Sequence, residues 1–275
     1  METGEIISTI VNEFPYALYG SMLVGALCAF LGVYIVAKRV VFLGAALTQI
    51  SVLGLALTFL PFLAIPHTIG SLIITIAAVI LLSRLLTGRD IPKDATLGVV
   101  FVFAIAARIL VMQKTPKIEV SEIENLLRGD ILFVTPELFY WLVGVFIVTM
   151  AIHLLFFKEF TYISFDAETA STQGYRVKLW EMAFYVIAAV VISVATHIVG
   201  DVFVFGFLVV PPVAAMLLAR NVRNIFAVAV LIGLLSPVVG LFLAFKLDFP
   251  SSPTIVAVAS LVLLFAWFSR VAKRR

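Results

Sequence analysis

Charge is what this chain has least of. Asp, Glu, Lys and Arg make up 13% of its 275 residues, against about 25% in soluble globular domains. With 63% hydrophobic residues, that scarcity excludes an ordinary water-facing surface. Cysteine is almost missing as well. The single Cys28 excludes an intrachain disulfide, and a lone thiol inside an apolar run is a poor metal site; it reads as a small core residue. No G-x-x-x-x-G-K-[ST] phosphate loop occurs, so any ATP that drives this protein is bound by another chain. No nucleophile–base constellation is visible, which leaves membrane enzyme activity without support. Lys and Arg are absent before Lys38. The N-terminus therefore lacks the basic region of a signal peptide, and the first apolar run reads as a retained span. There is neither a low-complexity tract nor a clear internal repeat.

What remains is long apolar runs. Stretches of about 17–25 such residues cross a bilayer as helices. Nine are found, at 16–37, 41–60, 67–86, 95–113, 136–157, 179–199, 201–219, 224–245 and 253–270. The fold expected is an all-α integral membrane bundle of eight to nine transmembrane helices, a single domain over residues 1–275. The Gly200–Asp201 break decides the count. If 179–219 is one span plus a re-entrant piece, there are eight spans and the C-terminus changes side.

The basic residues favour nine. Alternate gaps carry Lys38 and Arg39; Arg84, Arg89 and Lys93; Lys158, Arg176 and Lys178; Arg220 and Arg223; and Arg270, Lys273, Arg274 and Arg275. The opposite gaps hold only Lys114, Lys117, Arg128 and Lys246. Positive loops stay in the cytoplasm. The expectation is a multi-pass protein of the cell (inner) membrane with its N-terminus outside and its C-terminus inside. The net charge of +3 suits anionic lipid or a cytoplasmic partner, and not nucleic acid.

Three connections carry more than a turn. In 165–175, Asp166 can cap a short helix and Gly174 can end it in the left-handed region; the segment is either a solvated linker or an interfacial helix offered to a cytoplasmic partner. In 114–135, seven charges are interleaved with Ile118, Ile123, Leu126, Leu127 and Ile131. That pattern suits an amphipathic helix on the outer surface, either a plain cap or a gate. In 89–96, Asp94 reads as the N-cap of the fourth span.

Five pieces in register resemble one family, the permease subunits of ATP-driven importers for zinc, manganese and iron. Residues 41–57 resemble a second-span stretch that usually reads G-D-A-L-S-H-S-V-L-P-G-x-A-L. Asp94–Phe101 resembles D-x-x-x-G-x-x-F, and Leu126–Leu132 resembles L-L-F-G-x-I-L. Asp166–Gly174 resembles D-x-E-x-A-x-x-x-G. Val199-Gly200 with Phe207–Ala215 resembles V-G…L-L-I-x-P-A-A-x-A. The resemblance implies an ABC importer permease moving a divalent metal by alternating access. It implies a cytoplasmic ATPase docking at Asp166, Ala167, Glu168, Ala170 and Gly174, an extracytoplasmic binding protein, and a second permease copy.

One departure stands out. The family's second span carries an Asp and a His four residues apart as metal ligands; here those positions are Ala45 and Gln49, and Leu53 replaces the motif's proline. A replacement set is available in His197 and Asp201, also four apart, with Gln49. On a continuous helix the pair shares a face, and a carboxylate in a span usually has a task. The other reading is an exposed turn, with Asp201 capping the next helix and His197 at the interface. Arg108, inside the fourth span, either snorkels outward or faces the pathway and pairs with Asp201. A cation there opposes a bare metal ion and suits a metal chelate or other small solute. Thr48, Ser51, Pro211 and Pro212 complete the candidate pathway, the proline pair expected to break or kink its helix. His67 and His153 read as interfacial. A non-transporting anchor built on the same scaffold remains the rival of a different class.

Overall fold

The computed structural model describes residues 3–60, 66–86, 92–115, 120, 124 and 131–272. The described residues are helical apart from short connections. In lipid, a backbone has no water to satisfy its N–H and C=O groups, so apolar runs of this length close their hydrogen bonds internally as helices. They are α1 (Thr3–Asn12), α2 (Pro15–Ala37), α3 (Phe42–Thr58), α4 (His67–Leu85), α5 (Lys93–Met112), a 3-10 turn at Ile131–Phe133, α6 (Pro136–Leu155), α7 (Phe157–Phe165), α8 (Ala167–Thr172), α9 (Val177–Val199), α10 (Asp201–Leu218), α11 (Val222–Leu247) and α12 (Ser251–Ala272). Seven of these are long and apolar enough to cross a membrane; α3 and α4 are shorter apolar helices. Together they match the nine runs read from the sequence.

Contacts fix their directions. Gly20 meets Ile198, while Lys38 meets Glu181, so α9 runs antiparallel to α2. Gly25 packs on Phe207 and Gly32 on Pro212, so α10 runs parallel to α2. The chain therefore reverses at Gly200, whose φ of 82° is cheap for glycine alone. Two helices cross here, not one span with a re-entrant piece. The reversal is recessed. Ile198 reaches Gly20, five residues and about 8 Å inside the start of α2.

α2 is the hub. From Val24 to Ile35 it is buried on every side, and two contacts explain how neighbours come so close. Gly25 and Gly233 of α11 press backbone on backbone, each occupying the space a Cβ needs at the other. The Leu208 carbonyl of α10 fills the Cβ position of Gly32. Small residues are how membrane helices gain packing without a hydrophobic drive. Pro211 and Pro212 sit inside α10, which continues through them to Leu218. Of the expected break or kink, the break is absent. Pro212 lacks the N–H that Leu208's carbonyl requires, and that carbonyl instead lies against Gly32, with the proline ring beside it.

At the Lys38 end an aromatic cluster of Phe30, Tyr34, Phe160, Phe184 and Phe226 surrounds buried His153. Lys38 and Lys93 both reach Glu181, at 3.5 and 3.8 Å. Burial holds the Lys38 ammonium below the ordinary lysine value, with Glu181 opposing.

Candidate functional site: a polar chain across three helices

Asp201 opens α10 next to the Gly200 reversal. Gly200 is the N-cap and Asp201 lies in the first turn, where the helix dipole favours an anion. It is thus neither a capping side chain nor part of an exposed turn: Val199 and Gly200 are buried. α3 runs antiparallel to α10, with Gly44 against Leu208, and that register brings Gln49 opposite Asp201. Gln49 Nε2 donates to Asp201 Oδ2 at 2.8 Å. From α5, Arg108 Nη1 donates to Gln49 Oε1 at 2.8 Å. A guanidinium only donates and a carboxylate only accepts, so the amide can be oriented only one way. One buried glutamine therefore links a cation to an anion across α5, α3 and α10. Arg108 faces inward and does not snorkel. Its Nε is buried with no hydrogen-bond partner among the described residues.

His197 ends α9 one turn before Asp201. The shared face expected for the pair needs a helix running through Gly200, and the helix stops there; the two side chains belong to different helices. His197 Nδ1 lies 2.6 Å from the Ser193 carbonyl. A carbonyl only accepts, so Nδ1 holds the proton and Nε2 presents its lone pair. This is the tautomer that metal-binding histidines adopt when a carbonyl orients them. Nε2 is buried with no hydrogen-bond partner among the described residues. Yet among those residues no three His, Cys, Asp or Glu side chains gather closely enough to hold a metal ion.

Thr48 is buried and turned onto its own helix, donating to the Ala45 carbonyl at 2.9 Å. Ser51 belongs to a hydroxyl ring that sequence reasoning missed. It lies 3.2 Å from both Ser71 of α4 and Ser193 of α9, and Ser71 also donates to the Ser51 carbonyl at 2.7 Å. Serines scattered singly through apolar spans, Ser51 and Ser193 alone in theirs and Ser71 sharing its span with Ser83, were the available signal. His67 Nδ1 bonds Thr58 Oγ1 at 2.8 Å and stacks on Phe59; His153 is wholly buried by its protein neighbours.

In the 165–175 segment, Asp166 Oδ1 accepts from the Thr169 amide at 3.0 Å and caps α8. Hydrogen bonds from the Thr169 side chain and backbone hold its carboxyl below the usual carboxylate range. Gly174 closes the segment with φ 88°, Ala170 is buried, and Asp166 and Glu168 face solvent. Asp94 is not an N-cap; α5 begins one residue earlier, after Pro92, and Asp94 sits in its first turn. The amphipathic helix expected in 114–135 falls largely outside the described residues, as do Arg89, Asp90 and Ile91.

A profile of the ABC 3 transport family matches residues 12–270. The chain belongs to this family. It is a multi-pass membrane permease of the ATP-binding-cassette type. The manganese import system permease protein ScaB of Streptococcus parasanguinis is 24% identical, over 94% of this chain and 91% of that protein. The chelated iron transport system membrane protein YfeC of Yersinia pestis is 26% identical, over 94% of this chain and 86% of its own. The solved structure of PsaBC from Streptococcus pneumoniae in complex with Fab superposes with a TM-score of 0.85. It covers 97% of this chain and 95% of that one at 22% identity, a likeness of fold.

Proposed function

We propose that this permease imports a divalent transition metal, zinc, manganese or iron, along a pathway that passes Asp201, and that the whole chain acts as one transmembrane domain. The observation that carries the reading is a carboxylate held inside the bundle at Asp201, four residues along the chain from a histidine whose Nε2 is prepared as a ligand. Asp201, His197 and Gln49 are the ligands, converging as the helices rock between states. Thr48, Ser51, Arg108, Pro211 and Pro212 line the route. On the positive-inside pattern we take Lys38, Glu181 and α8 as cytoplasmic and the Gly200 reversal as facing outward. A separate ATPase docks on α8 through Asp166, Ala167, Glu168, Ala170 and Gly174. A binding protein delivers cargo outside, and a second copy of the chain completes the pathway. The names of the iron and manganese relatives support the cargo class.

The inward turn of Arg108 favours a second reading in which the cargo is a metal chelate or another small solute. The test is metal accumulation by the reconstituted permease–ATPase complex, wild type against His197→Ala and Asp201→Ala. The proposal expects accumulation in wild type and at least tenfold less in both variants. Undiminished transport in the variants removes these ligands. No metal transport by wild type transfers the cargo to the second reading.

A further inference from the structure

Arg108 does more than line a route. Resting on the reading that Asp201 lies on a cation pathway, we infer that Arg108 is a resident counter-cation. In the resting permease it takes the electrostatic place of the transported ion at Asp201, and it thereby keeps a bare divalent cation from settling there.

Three features carry this. The Arg108–Gln49–Asp201 chain is continuous, with both hydrogen bonds at 2.8 Å. It pairs one positive with one negative group, so the site is neutral as it stands. The forced amide orientation also uses up the glutamine. Its oxygen, the one atom that can ligate a metal, is held by Arg108, and the nitrogen facing Asp201 cannot ligate. Finally, among the described residues no three-ligand cluster exists to outbid the guanidinium. A bare divalent ion approaching Asp201 meets a fixed positive charge and an amide turned the wrong way. It can bind only after α5 carries Arg108 away from α3, which makes Arg108 a specificity-determining residue and ties cargo binding to helix movement.

The test is equilibrium binding of Mn²⁺ to the permease–ATPase complex in lipid nanodiscs. Arg108→Gln and Arg108→Met remove the charge in two shapes; Arg108→Lys keeps it. Both neutral variants are expected to bind Mn²⁺ about tenfold or more tighter than wild type, and Asp201→Asn added to either cancels the gain. Arg108→Lys stays at the wild-type affinity. Neutral variants that bind no tighter, or a lysine variant that tightens as they do, each overturn the inference. Metal transport by wild type, measured in parallel, separates the two levels. Its absence defeats the pathway reading; its presence with unchanged affinity in the neutral variants defeats only the counter-cation.

Discussion

Gln49 holds a position that neither Arg108 nor Asp201 can fill. It is 7% exposed and satisfies a donor on one side and an acceptor on the other. Gln49→Leu keeps the volume and strips both bonds, leaving two half-buried charges facing an apolar side chain. The expected cost is about 1–3 kcal/mol, seen as a lower thermal midpoint of the purified permease. Gln49→Glu keeps an acceptor for Arg108 but loses the donor to Asp201 and sets two carboxylates against each other, so it too is expected to lower the midpoint in the same assay. The residues of this chain, Gln49, Arg108 and Asp201, were each conspicuous in the sequence, because polar groups in apolar spans are rare. Their meeting was not legible, since it depends on the antiparallel register of α3 against α10, and a single sequence does not print interhelical register. The i, i+4 reading of His197 and Asp201 failed for a local reason. A glycine at φ 82° ends one helix and starts the next, and spacing rules stop at such a residue.

Among the elements, α8 is short enough that its cap matters. Asp166→Ala is expected to unravel it and to lower the ATPase activity stimulated by the permease, whereas Asp166→Ser, another capping residue, retains most of it. The depressed carboxyl value of Asp166 gives the sign of its pH dependence. The cap's contribution is complete above the ordinary carboxylate pKa and is lost as pH falls through the lower folded value, so coupling should be insensitive to this group between pH 8 and 5. α2 and α10 supply a second case. Gly32→Ala drives a methyl into the Leu208 carbonyl, with an expected loss of about 1–3 kcal/mol and a lower yield of folded protein by size-exclusion chromatography. Helix spans were legible to within a few residues because lipid forces one backbone solution on any long apolar run. The continuity of α10 was not. The proline rule describes an isolated helix, while here a glycine on α2 receives the displaced carbonyl.

Among the described residues, nine apolar helices alternate in direction from α2 to α12, so the start of α2 and the end of α12 lie at opposite ends of the bundle. With the basic gaps, this predicts that a cysteine placed at Glu168, in a chain carrying Cys28→Ser, is labelled by a membrane-impermeant maleimide only in inside-out vesicles. One placed at Asp248 is labelled only in right-side-out vesicles. Native Cys28 is fully buried and stays unlabelled in both. The molecule also joins its helices in two different manners. Where Gly25 meets Gly233, backbone touches backbone and any sliding produces a collision. Where Ser51, Ser71 and Ser193 meet, the connection is three hydroxyls, each able to give or take a proton. Rotating an O–H can swap one partner for another without any backbone contact being broken. The first contact is a rigid weld of backbones, whereas the second is a set of exchangeable hydroxyl bonds, the easier of the two joints to rearrange.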